Sequence, residues 1–200
     1  MTGLTFGDCQ FLEMYQRLYG VRYPGDTNVS PAENNADPMV PRHIRGETLC
    51  YLLDLYCFPL GKYNYTWNWH GPYSPSLLAQ LRELDGKQAE INNFYDENLP
   101  DDVIFSDDHP KSLFWAMDRQ CIDELLKLLD LPKDARKAGE KMELLCSLLY
   151  IFLDVMPGAL FEEIVTELIA RSPKYAAEGM RLRIEAAWKT LQKLDENCFI

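Results

Sequence analysis

The stretch from Lys62 to Leu84 reads KYNYTWNWHGPYSPSLLAQLREL. Its first half alternates strictly, with Tyr63, Tyr65, Trp67 and Trp69 set against Asn64, Thr66 and Asn68. A period of two with aromatic residues on one face predicts a strand. At His70-Gly71-Pro72 the alternation stops and a turn is expected, with Gly71 permitting a close backbone approach and Pro72 stiffening the corner. Ser74 then stands where an N-cap belongs and Pro75 fits a first helical position. Leu77, Leu78, Leu81 and Leu84 form the inner stripe of the helix that follows. A lone strand leaves its backbone groups unpaired, so this one requires a partner strand or a flat helical surface.

On the N-terminal side the period is helical. In HIRGETLCYLLDLYCF, residues 43–58, Ile44, Leu49, Leu52, Leu53 and Tyr56 share one face, and Pro59 and Gly61 end the element. Further upstream, Phe11, Leu12, Tyr15, Leu18 and Tyr19 predict a helix from about Gly7 to Gly20. Residues 21–41 carry four prolines among Asn, Asp and Ser and read as a tether. The chain therefore divides into an N-terminal helix and Pro/Asn-rich tether, 1–41, and a body, 42–200. The spacing leaves open whether the first helix packs back on that body.

On the C-terminal side the charge is uneven. Residues 83–108 hold nine carboxylates against one lysine, so this segment carries −8 of the chain's net −11. Beyond it, Leu113, Phe114, Met117, Cys121, Leu125, Leu128 and Leu129 predict a helix between Pro110 and Pro132. The next, about Ala135 to Val155, is apolar nearly all round in LLCSLLYIFL and reads as a central, buried helix. Pro157-Gly158 breaks it. A short helix is expected over about Ala159 to Ala170, and a last one over about Lys174 to Leu194. On the outer side of that last helix Glu185 lies four residues from both Arg181 and Lys189. The fold class is mainly α: a compact helical domain with one short aromatic strand or hairpin, and a winged-helix arrangement as one form it can take.

Two hundred residues with 47% hydrophobic and 26% charged content exclude a disordered chain, a collagen and a coiled-coil rod. The longest apolar stretch, 144–153, is far short of the roughly 20 residues of a membrane span. The first residues lack the basic and apolar regions of a signal peptide. Six cysteines without a C-x-x-C, several inside apolar helical pattern, read as reduced core thiols, and the compartment is expected to be the cytoplasm. The net charge of −11 disfavours nucleic acid and anionic lipid.

The search for reaction chemistry yields no G-x-S-x-G, H-E-x-x-H, P-loop or G-x-G-x-x-G. Ser74, His70 and Asp54 contain the residue types of a triad, but no shaped turn or oxyanion hole accompanies them. His43, His70 and His109 are dispersed, without ligand spacing. Asp101-Asp102 and Asp107-Asp108 lack the glycine of a cation loop and read as solvated. No cofactor and no metal is expected. The basic groups Lys133, Arg136, Lys137 and Lys141, with Arg181 and Arg183, are interleaved with acids and too few for a nucleic-acid footprint.

The helix LCYLLDLY, the strand YNYTWNWHGPYSP and the following LLAQLREL resemble the Panacea (SocA-like) antitoxin domains and the related YwgA-like proteins. The likeness covers about residues 44–84, with ELLCSLLYI at 143–151 resembling the family's buried helix. It implies a non-enzymatic interaction module, antitoxin- or adaptor-like, binding a toxin or effector in a prokaryotic or phage system. The family's corner maps onto Trp69, His70, Gly71, Pro72, Tyr73, Ser74 and Pro75, with Trp67 on the adjoining strand. The N-terminal appendage and the acidic segment depart from the family pattern. A basic protein partner would be steered by Asp101, Asp102, Asp107 and Asp108. The alternatives are a winged-helix-like DNA-binding regulator and an enzyme with a pocket around His70 and Ser74. The apolar terminus Cys198-Phe199-Ile200 has two docks open to it, the body or a second copy in a homodimer.

Overall fold

The computed structural model describes residues 6–19, 22–23, 42–56, 63–98 and 124–197. Helix α1 spans Phe6–Tyr19 and α2 spans Arg42–Tyr56. A hairpin follows, β1 Thr66–Asn68 and β2 Gly71–Tyr73, then α3 Pro75–Asp85 and α4 Gln88–Asn98. Residues 124–129 form a short helix. The C-terminal part comprises α5 Ala135–Tyr150 with a π-helical extension Ile151–Val155, α6 Phe161–Arg171, a 3₁₀ turn Pro173–Ala176 and α7 Met180–Asn197. Among the described residues the fold is mainly α with one two-stranded antiparallel hairpin.

Helix α5 is the axis. Every residue from Met142 to Ile151 is buried, as an all-round apolar helix requires. It packs against α1, α2, α6, α7 and β2. Asp134 caps it by accepting the Lys137 N–H at 2.9 Å. At its far end the ladder widens: the Met156 N–H reaches the Ile151 carbonyl at 2.8 Å, an i→i+5 bond, and Pro157 cannot donate to continue. The expected helix to Val155 is thus α only to Tyr150.

Helix α1 answers the question the spacing left open. Leu12, Met14 and Tyr15 have no exposed surface, and the Tyr95 hydroxyl of α4 donates to the Leu12 carbonyl at 3.1 Å. The α1 helix is part of the core. Tyr23, just beyond it, is buried against Phe11 and Tyr15 in edge-to-face contacts. Helix α4 lies inside the acidic segment and buries Ile91, Phe94 and Tyr95, with Asp96 outward. Asp101, Asp102, Asp107 and Asp108 lie outside the described residues. So do most of the tether, most of the expected 110–131 helix and the apolar C-terminal tripeptide.

Two boundaries differ from the sequence reading. The Gly71-Pro72-Tyr73 segment is the second strand, and the turn is Trp69-His70. In this register Asn68 opposes Gly71, Trp67 opposes Pro72 and Thr66 opposes Tyr73. A two-residue loop makes the closing pair the hydrogen-bonded one, so Pro72 falls at a non-hydrogen-bonded position where its missing N–H loses nothing. The last helix begins at Met180 and not near Lys174, because Gly179 adopts φ 78° and interrupts the chain after the 3₁₀ turn.

Candidate functional site at the aromatic corner

The hairpin lies against α5 and is fastened there residue by residue. Gly71 has φ 109°, outside the range of L side chains, and a Cβ placed on it would lie 2.6 Å from Ser147 Oγ of α5. The strand therefore approaches the central helix as closely as a backbone can. Ser74 caps α3, its Oγ accepting the Leu77 N–H at 3.5 Å, and its own N–H donates to the Glu47 carboxylate of α2. Glu47 is 2% exposed. Burial pushes its carboxyl up to about 7, against which the Ser74 hydrogen bond pulls it down.

His70 stands in the turn, where its N–H donates to Asn68 Oδ1 at 2.7 Å in an Asx turn. Its Nδ1 meets Glu143 Oε1 at 3.2 Å, and the Lys174 ammonium from the 3₁₀ turn reaches the same oxygen. The Glu143 side chain is only 5% exposed, in the middle of the apolar helix. A buried carboxylate needs partners of this kind, since ionising it unpaired in an apolar interior costs several kcal/mol. Beside it the Tyr175 hydroxyl is shifted upward, first by burial and then by the Glu143 charge.

Two further contacts hold the strand and the turn. The Ser172 hydroxyl donates to the Trp69 carbonyl at 3.2 Å, and the Arg171 guanidinium lies 5.5 Å from the centre of the Trp67 ring. Trp67 also packs on Tyr150, ring centres 6.0 Å apart, and Tyr51 meets Tyr65 edge to face at 4.9 Å.

These contacts correct one sequence expectation. Tyr63, Tyr65 and Trp67 pack inward as the alternation predicts, but Trp69 does not share their face: it is 60% exposed. It occupies the turn, where strand alternation no longer applies. The structure brings Trp67, His70, Gly71, Pro72, Tyr73, Ser74 and Pro75 together at one corner and presents Trp69 at its tip.

A carboxylate holding an imidazole by Nδ1 is also half of an acid–base pair, and the neighbouring nucleophiles decide its use. Cys146, one turn from Glu143, is fully buried; burial pushes its thiol well up, and its Sγ–H donates to the Thr48 carbonyl at 3.4 Å. Ser147 is equally buried, beneath Gly71. Neither is a reachable nucleophile, and the Glu143–His70–Lys174 cluster is arranged as a clamp. Cys146 is a free thiol. Among the described residues no three His, Cys, Asp or Glu side chains converge as metal ligands do, and no helix is long and apolar enough to cross a membrane. The hairpin from Thr66 to Tyr73 carries no lysine or arginine to set against a phosphate backbone.

Neither Glu143 nor Lys174 was singled out by sequence reasoning. The available signal was Glu143 itself, a carboxylate inside a helix apolar on every side, which demands a partner. The clamp makes a testable statement. Lys174→Met leaves Glu143 buried with the imidazole alone and is expected to cost about 2 kcal/mol. A Glu143→Met, Lys174→Met double substitution removes both charges and recovers most of that loss. Urea midpoints of wild type, the Lys174→Met and Glu143→Met single variants and the double variant read the difference, and a double variant as weak as the sum of its singles contradicts the clamp.

No protein family, no curated protein and no solved structure matches this chain.

Proposed function

We propose that the chain is a non-enzymatic protein–protein interaction module, antitoxin- or adaptor-like, whose partner is a basic toxin or effector protein of a prokaryotic or phage system. The observation that carries this reading is Trp69: a large aromatic side chain, 60% exposed, on a turn whose backbone and neighbours are held from several sides. A tryptophan in water on a rigid support has little entropy left to lose on docking, which is the property of an interface anchor. The likeness of the corner to Panacea domains and the balance of −11 agree with a basic partner. The free buried thiol at Cys146 suits a reducing cytoplasm.

The test compares tagged wild-type chain with Trp69→Ala in quantitative recovery from the native host. One dominant basic protein is expected, with its affinity lowered roughly 30-fold or more by Trp69→Ala. Leu160→Ala, at a 72% exposed leucine away from the hairpin, is the matched control and retains the partner. Recovery insensitive to Trp69 overturns the reading. Replacing Asp101, Asp102, Asp107 and Asp108 by Asn is expected to slow association at low salt about tenfold while leaving dissociation unchanged. Stopped-flow mixing with the purified partner reads both rates.

A further inference from the structure

The basic residues that look diluted along the sequence converge in space. Arg136, Lys137 and Lys141 come from the first turns of α5 and Arg183 from the first turn of α7. Together they line a cavity of about 430 Å³ between the two helices. Its apolar lining includes Leu144 and Ala187, both buried. Within the lining four cations meet one carboxylate, Glu140, which Arg183 holds at 3.1 Å and Arg136 at 3.6 Å, while the Asp134 charge acts on Arg136 and Lys137 and the Asp130 charge on Lys141. On a chain of net charge −11 this is a local reversal of sign.

The position of Lys141 is built rather than incidental. Its ammonium donates to the Asp130 carbonyl at 2.8 Å, and Asp130 is a non-glycine residue at φ 42°, the left-handed cap that closes the 124–129 helix. That single bond leaves two ammonium protons for other acceptors. Partial burial lowers the Lys141 pKa, so an anion beside it restores solvation the fold has removed.

We propose that this cavity binds a small organic phosphate: a dianionic head held by the Arg136, Lys137, Lys141 and Arg183 cations, and an apolar or aromatic body resting on Pro132 and Ala186, the exposed apolar residues of the lining. The volume falls within the roughly 300–1,000 Å³ of small-molecule pockets. Arginine forks match phosphate oxygens in pairs. The charge of the whole chain selects against larger anions. A nucleic acid would have to lay further phosphates over an acidic protein, whereas a small anion feels only the cations within about 8 Å at physiological salt.

The experiment titrates the full chain with AMP and phenyl phosphate, with adenosine and inorganic phosphate as part-ligands, by calorimetry and by amide shifts over 136–144 and 183–187. Saturable binding of both organic phosphates is expected, at least tenfold tighter than either part-ligand. Arg183→Gln and Lys141→Gln each weaken it about tenfold, and Glu140→Gln, which removes the competing carboxylate, tightens it several-fold. The Arg183 side chain is half exposed, so its substitution leaves the core intact. No saturation by about 1 mM, equal binding of inorganic phosphate, or affinity indifferent to Arg183 and Lys141 each overturns the proposal.

Discussion

Gly71→Ala is expected to destabilise the protein by about 3 kcal/mol, a large effect for one methyl group. Two terms add. The backbone at φ 109° is reserved for glycine, and forcing an L side chain there costs roughly 1–3 kcal/mol. The new Cβ would also stand 2.6 Å from Ser147 Oγ, so that hydroxyl must rotate away inside a fully packed helix. A double-mutant cycle separates the terms. Ser147→Ala removes the oxygen, and in that background Gly71→Ala should cost about 1 kcal/mol less, because only the backbone term remains. Denaturant unfolding measures both. A cost below about 0.5 kcal/mol in the wild-type background would mean that the strand does not approach α5 as described.

The second large effect is a pH dependence centred on Glu47. Its carboxyl titrates near 7 in the folded protein and near 4.5 when unfolded. Below pH 4.5 both states carry the proton and the group contributes no penalty. Between pH 4.5 and 7 the unfolded chain releases the proton while the folded one retains it, so stability falls as pH rises. Above pH 7 the loss levels off at about 3 kcal/mol, the product of the shift and 1.36 kcal/mol per unit. Glu47→Gln keeps an acceptor for the Ser74 N–H without the charge. The variant should match wild type near pH 4.5 and exceed it by about 2–3 kcal/mol at pH 8. Parallel stability curves for the two proteins across that range would remove Glu47 as the cause.

Much of this architecture is legible in the sequence because hydrophobic spacing is local. The all-apolar run of α5, the stripe of α3 and the Ser74-Pro75 start are each decided within a dozen residues; the structure has the Ser74-Pro75 start as read, the α3 stripe with Leu78 half-buried, and the α5 run turning π-helical from Ile151. The misreadings share a cause as well. Gly71 and Pro72 are turn residues by type, and only the register of the hairpin shows that a strand accommodates both. Gly179 carries the signal for the start of α7 at Met180, beyond the expected start near Lys174. In α4, Ile91, Phe94 and Tyr95 have helical spacing, but the surrounding carboxylates dominate the composition.

The site was legible only in part. The corner residues follow from their own pattern, whereas the groups beneath them come from elsewhere: Glu143 is 73 residues from His70, and Ser172 is 103 from Trp69. Three cations of the α5–α7 cavity share α5, and Arg183 joins them only when α7 folds over α5. Pairings at that separation leave no local periodicity to read.

Those same separations set an order of events during synthesis. Helices α2 and α3 can form as they emerge, but the turn that carries Trp69 is completed by Glu143, Ser172 and Lys174, made some seventy to a hundred residues later. Domains assemble in the direction of translation, and contacts between distant segments close last. A nascent or C-terminally truncated chain thus displays a loose tryptophan, and only a finished one displays a fixed tryptophan. The fixed geometry of the corner thereby marks a chain whose translation has run past α6.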